Sequence, residues 1–575
     1  MKNYKNIGLF LLSLGFVSCD VNNDLDTITN PAETQVALNT SGLDFSNYVA
    51  IGASFTSGFT DGALFKAAQE NSFPSILASK FGVANTFKQP LMNDNIGGMA
   101  FGGSTVIQAP RLFFNGAGPV RLSATPTTEG TTVLTGGFNN YGIPGAKSFH
   151  LVAPGFGNLA GVPCQLANPY YARMATSATA TVLGDAVAQA PTFFTLSEIG
   201  GNDVLSFATS GGYNSAVEAT PFCAAVPAAN AIYQSDNTVS PSDYRGNDIT
   251  NVDVFASVFS NMVNALTANG TNNVKGVVAN VPYITDLAHF TSVPYNPLDP
   301  NDAVTGPAFK AQIPLLNSVF AAVNQIYAGA GQPERSIVFS TTVTNPVVIY
   351  DEDATDLTTP ITNTLATSAT FATFVQQTLG LPAAAAPLVA GLLGQQYGKA
   401  RAATANDLFV LPSSSVIGTV NTTHVGNLIT LSGGLLPQTL AGQFSAEGIT
   451  LPLADKWVLT PQEQALIKTA TDAYNTTITA VASANPNVAL VDLNSILTEA
   501  STTGLMFDDG LMTTNLVTGG LISLDGIHLT SRGYALMANK ILGAIDAEFG
   551  SNFTTATNGL AKAVDYPTNY SPALR

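Results

Sequence analysis

Two kinds of apolar pattern alternate along the chain. Short continuous runs, "YVAIGAS" near 48–54, "TFFTLSEI" at 192–199, "VKGVVANVP" near 274–282 and "VALVDL" near 488–493, have the length of buried strands and are bounded by Gly, Asn or Pro. Between them apolar residues recur at helical spacing. Phe73, Ile76, Leu77 and Phe81 share one face, as do Val254, Val258, Phe259, Met262 and Leu266, with Gly270 as the stop. "ATVLGDAVAQAP" reads as a further helix. A third long helix carries its own start signal. Thr460 suits the N-cap, Pro461 the first helical position and Glu463 the reciprocal cap, and Pro486 ends it. The last helix begins near Thr530 and lines up Tyr534, Met537, Ile541, Leu542 and Ile545.

Strands alternating with amphipathic helices predict an α/β fold with a mainly parallel sheet. Two stretches break the rhythm. Residues from about 93 to 159 are Gly-rich and irregular. Residues 287–456 are rich in Thr, Ala, Pro and Gly and read as an insertion into the α/β core. The insertion holds "LGLPAAAAPLVAGLLG", which Pro382 and Pro387 interrupt, so it is too short to span a membrane. Its Leu379, Leu381, Leu388, Val389, Leu392 and Leu393 must pack against something, either the insertion's own core or a lid over a substrate site.

The chain has 575 residues, enough for one large elaborated domain or two, and 46% of them are apolar. Lys and Arg total 21 against 38 Asp and Glu, a formal net charge of −17. That balance argues against a nucleic-acid partner, because neutralising phosphate needs cations. The first residues, "MKNYKNIGLFLLSLGFVSCD", combine Lys2 and Lys5 with an apolar stretch from 7 to 17 and then Ser18-Cys19. This layout is that of an export signal. Its ending resembles the lipobox of bacterial lipoproteins, in which the cysteine becomes the lipidated N-terminus. The expectation is therefore a signal peptide over 1–18, lipidation of Cys19, a flexible polar tether over 19–44, and a membrane-anchored place in the cell envelope, at the outer membrane of a Gram-negative bacterium. Cys164 and Cys223 remain. In an exported chain they are consistent with one disulfide, the alternative being two buried thiols. Neither they nor the four histidines show zinc-ligand spacing.

Candidate chemistry begins at Ser54, where the first apolar run ends. A serine nucleophile needs a base, a group to orient that base, and donors for an oxyanion. In "DGIH" Asp525 precedes His528 by three residues just before the last helix, where a carboxylate can fold back onto the imidazole. "IGGND" puts Asn202 at the end of a strand, the edge where open α/β sheets hold ligands. "NNYGIPGAKS" supplies a tight turn in which Gly145 can offer its N–H.

Four blocks in this order resemble the SGNH hydrolases, also called GDSL lipases and esterases. The blocks are "GASF" with Ser54, "NYGIPG" with Gly145, "GGND" with Asn202, and "DGIH" with Asp525 and His528. The resemblance covers roughly 45–285 and 457–548, leaving out the insertion. Two positions depart from the family pattern. Ala53 stands where the family usually has Asp, and Pro144 and Ala146 surround Gly145. The G-x-S-x-G elbow of other α/β hydrolases is absent around Ser54.

The resemblance implies a flavodoxin-like α/β/α sandwich with core parts at 45–286 and 457–575. It implies hydrolysis of carboxylic esters, acyl lipids or acylated glycans, through an acyl-enzyme on Ser54, with His528 as base and Asp525 orienting it. The Ser54 and Gly145 N–H groups and the Asn202 amide then form the oxyanion hole, and no metal or cofactor is required. Two other classes fit parts of the sequence: a surface-anchored binding lipoprotein that keeps this fold without turnover, and a calcium-stabilised scaffold suggested by "YDEDATD" (Asp351, Glu352, Asp353, Asp356).

Overall fold

The computed structural model describes residues 35–575 except 104, 218, 220–222 and 269–273. The stretch read as a signal peptide, Cys19 and Gly270 lie outside the described residues.

Five strands form the central sheet: β1 (Tyr48–Gly52), β2 (Asn140–Gly142), β3 (Phe193–Leu196), β4 (Lys275–Ala279) and β5 (Val488–Val491). They run parallel in the spatial order β2-β1-β3-β4-β5. Every residue of β1 and β3 is buried, as a parallel sheet covered on both faces requires. The order is one of the two common doubly wound arrangements. Its direction reverses between β1 and β3, and ligands in such sheets bind at that crevice, beyond the strands' carboxyl ends.

β2 lies in the stretch read from sequence as irregular. Its three residues, Asn-Tyr-Gly, are too short and too polar at the ends to announce a strand. Pairing with β1 makes it one.

The helices that matter for the site are α1 (Ser54–Ser57), α2 (Phe73–Lys80), α3 (Val182–Ala188), α4 (Gly201–Thr209) and α5 (Val252–Thr267) in the first part of the core. The insertion contributes α6 (Gly306–Gly329), α7 (Thr358–Ala366) and α8 (Ala386–Tyr397). The second part of the core adds α9 (Pro461–Ala484), α10 (Leu493–Thr502) and α11 (Ser531–Phe549). Helix α2 packs on α11, while α9 packs on α4 and α5. The predicted capping box of α9 forms: Thr460 accepts from the Glu463 N–H, and Glu463 Oε2 accepts from the Thr460 N–H at 2.7 Å.

The insertion builds a hydrophobic core of its own from α6, α7, α8 and their neighbours, including Phe320, Val323, Ile361 and Tyr397. Leu381, Val389 and Leu393 of the apolar run are buried in that core. The run is therefore structural, and none of it reaches Ser54. A short antiparallel pair, 408–409 with 458–459, ties the insertion back to the start of α9.

Two further expectations meet the structure here. Cys164 and Cys223 are joined in a disulfide, with 5.5 Å between their Cα atoms. The stretch read as a flexible tether does not stay free to its end. The Val36 N–H donates to Thr557 Oγ1 and the Asn39 N–H to Asn552 Oδ1, stitching this segment onto the C-terminal part of the chain.

Candidate functional site

Strand β1 ends at Gly52, and the chain turns at once into α1. A Cβ at Gly52 would stand 2.1 Å from Thr56 Oγ1 and 2.7 Å from Ser197 O, so only glycine lets the turn fold this tightly. Ser54 opens α1 and is 7% exposed. The turn at Ala53 is supported from the end of β3. Glu198, two residues past that strand, aims its carboxylate under the turn. It accepts the N–H of Ala53 at 2.8 Å, of Phe55 at 2.6 Å and of Thr56 at 2.7 Å. The Ser54 N–H is skipped and is not among its donors. Glu198 holds a positive φ of 56°, a strained conformation for this residue type. Burial pushes its carboxyl above the usual range, and the bonds from Thr56, Phe55 and Ala53 oppose that rise.

Asp525 and His528 meet as their spacing suggested. His528 Nδ1 lies 2.8 Å from Asp525 Oδ2. The carboxylate also accepts the N–H groups of Gly62 (2.7 Å), Ile527 (2.9 Å) and His528 (2.9 Å), and the Ser523 hydroxyl (3.0 Å). Burial alone would raise its pKa. The neighbouring His528 and these bonds outweigh burial and hold Asp525 well below the usual carboxylate range. It stays ionised and can steady an imidazolium. Gly526 turns the loop at φ 78°, and a Cβ there would stand 2.9 Å from the His289 N. The His528 ring lies against Phe59 and Phe55, with centroids 4.6 and 5.8 Å away. The Phe59 N–H in turn donates to Ser54 O, so one short segment carries both the serine and the wall of the histidine. No hydrogen bond joins Ser54 to His528 among the described residues, and catalytic hydrogen bonds are often long before substrate binds.

The other two blocks converge on the same edge. Asn202 sits in the first turn of α4, and its Nδ2 donates to Ala146 O at 2.9 Å. Gly145, next to Ala146, is exposed, has φ 78° and has open space on its Cβ side. Buried Asp203 anchors the far end of this turn by accepting the Ser148 N–H (2.8 Å) and hydroxyl (2.6 Å). Ser54 and Asn202 line one cavity, as do Ile527 and Leu529, the residues on either side of His528.

Sequence reasoning missed several supporting groups. Glu198 had no visible motif of its own. Asp61, at φ 53°, accepts the Leu524 N–H at 3.1 Å and so braces the His528 loop. Burial pushes its carboxyl up to about 7. The chain also has a second Asp-x-x-His, Asp286 and His289, which forms no such pair. His289 Nδ1 instead reaches Asp525 O at 3.3 Å, beneath the site loop.

The side chains of the acidic run at 351–356 turn to separate partners. Asp351 pairs with Arg401 at 2.5 Å, and Asp356 caps α7 through the Thr358 N–H at 2.8 Å. Glu352 turns toward Asp455 and Glu463, and carboxylate oxygens of the three lie within 4.8 Å of one another.

Comparison with protein-family models, with curated proteins and with solved structures gives no match to this chain.

Proposed function

We propose that the protein is a serine hydrolase of carboxylic esters, of the SGNH type. The observation that carries this reading is the meeting of four distant sequence blocks at one sheet edge: Ser54, the Gly145 turn, Asn202, and the Asp525–His528 pair. In this reading His528 takes the Ser54 proton as the hydroxyl attacks the acyl carbonyl, and Asp525 steadies the resulting imidazolium. The Ser54 and Gly145 N–H groups and the Asn202 amide receive the oxyanion. The alcohol leaves with the proton from His528, and a water activated by the same ring frees the acid. The doubly wound strand order fits the flavodoxin-like sandwich that this class uses.

The lipobox-like start further suggests lipidation at Cys19 and a place in the cell envelope, with the membrane as a partner through that anchor. The Cys164–Cys223 disulfide suits such an oxidising compartment.

Purified Ser54→Ala and His528→Ala should each lose several orders of magnitude in kcat on an aryl acetate, while keeping the wild-type melting temperature. An active-serine phosphonate should label the wild type and not Ser54→Ala. Wild-type turnover in Ser54→Ala would overturn the proposal. A folded wild type with neither turnover nor labelling would favour the binding lipoprotein instead.

A further inference from the structure

Resting on the ester-hydrolase reading of Ser54, we infer that the apolar cavity behind this serine is an acyl-chain pocket for one linear, medium-length fatty acyl group, with Met537 and Lys540 setting its far limit. The cavity is narrow, about 90 Å³ in volume, and opens to solvent. Its polar lining is confined to Ser54, Asn202 and Glu198 near the mouth and to Lys540. Leu, Ile, Met, Ala, Phe, Pro and Gly supply the rest. The Glu198 carboxylate is already engaged by three backbone N–H groups, so it presents no unpaired acceptor to an incoming chain.

The walls come from the core and not from the insertion's apolar run. Helix α10 gives Leu493 and Leu497, and α11 gives Gly533, Leu536, Met537 and Lys540. The α11 residues recur at helical spacing, so they mark out one face of that helix. From Gly533 to Lys540 that face extends roughly 10 Å at the rise of an α-helix, comparable with an extended octanoyl chain. Gly533 packs against Leu521 at the start of that face, where a Cβ would stand 2.6 Å from Leu521 O. Lys540 is half-buried, and a lysine so placed adds its methylene stem to an apolar wall while its ammonium stays in water.

The chemistry assigns the pocket to the acyl half of the ester. After attack on Ser54 the alcohol departs and the acyl group stays bonded to the serine. A buried apolar cavity that begins at that serine suits the part that stays.

The test is the kcat/KM profile of p-nitrophenyl esters from acetyl to palmitoyl, on the soluble chain lacking residues 1–19. The wild type should gain up to roughly fourfold per added methylene until the pocket is filled near octanoyl, then decline. Met537→Trp should move that maximum to shorter chains, and Lys540→Ala should move it to longer ones. Should Met537→Trp fail to fold, Leu497→Phe narrows the same wall from α10. A flat profile alongside normal acetyl turnover would overturn the pocket and leave the hydrolase intact. So would a maximum that neither folded variant shifts. Calorimetric titration of Ser54→Ala with octanoate separates the two claims without turnover. Binding that Met537→Trp abolishes supports the pocket even if no ester is cleaved, and absence of binding overturns it.

Discussion

Glu198 shows how a single buried side chain can hold a whole turn. Its carboxylate gathers the amides of Ala53, Phe55 and Thr56 and leaves the Ser54 amide aside. The turn around the serine is thereby held from below by the segment that follows β3. Glu198→Ala would strand these buried donors, each at a cost of about 1–3 kcal/mol. It would also let Ser54 drift, and a displacement of about 1 Å can cost 10²-fold in rate. The expected result is a kcat lowered by about 10²-fold, little change in KM and a reduced melting temperature. Glu198→Gln keeps an oxygen for the Ala53 and Thr56 amides and should recover part of both losses. Equal phosphonate-labelling rates in wild type and Glu198→Ala would show that the carboxylate does not position Ser54.

At the scale of elements, the start of α9 carries a cluster of buried carboxyl groups beside its capping box. Asp455 and Glu463 are buried beside Glu352. Burial and then the neighbouring Glu352 push Asp455 from its ordinary 3.8 up to about 9, and the same two causes push Glu463 from 4.5 up to about 8. The folded chain keeps protons that the unfolded chain releases near its ordinary carboxylate values. Stability from this cluster is thus complete below that range and is lost progressively as pH rises toward 8–9. Asp455→Asn removes one of these titrations. Its melting temperature should exceed that of the wild type clearly at pH 9 and hardly at all at pH 4, measured by calorimetry. An equal shift at both values would mean that titration of this cluster does not govern stability there.

At the scale of the molecule, the insertion is a second hydrophobic centre grafted onto a doubly wound core. Its apolar run closes on α6 and α7, and the wall beside Ser54 belongs to α10 and α11. Leu393→Ala should therefore destabilise the protein by about 2–5 kcal/mol, the usual cost of removing a buried leucine. It should leave the acyl-chain profile of the folded protein unchanged. Denaturant melts beside the ester series check both, and an altered chain-length preference would return the insertion to the substrate site.

The α/β class, the buried strands β1, β3, β4 and β5, the capping box of α9, the start of α11 and the Asp525–His528 contact were legible in the sequence. Each depends on residues near one another in the chain, through hydrophobic period, cap chemistry or three-residue spacing. Strand β2 was not legible, because three residues become a strand only when β1 offers its edge. Nor was Glu198, whose partners lie more than 140 residues away. The apolar run at 379–393 left two destinations open, because hydrophobicity demands burial without naming the surface that provides it. The cavity behind Ser54 draws its walls from segments scattered between 53 and 540. Its shape is a property of how sheet and helices pack, so only the tertiary structure could decide it.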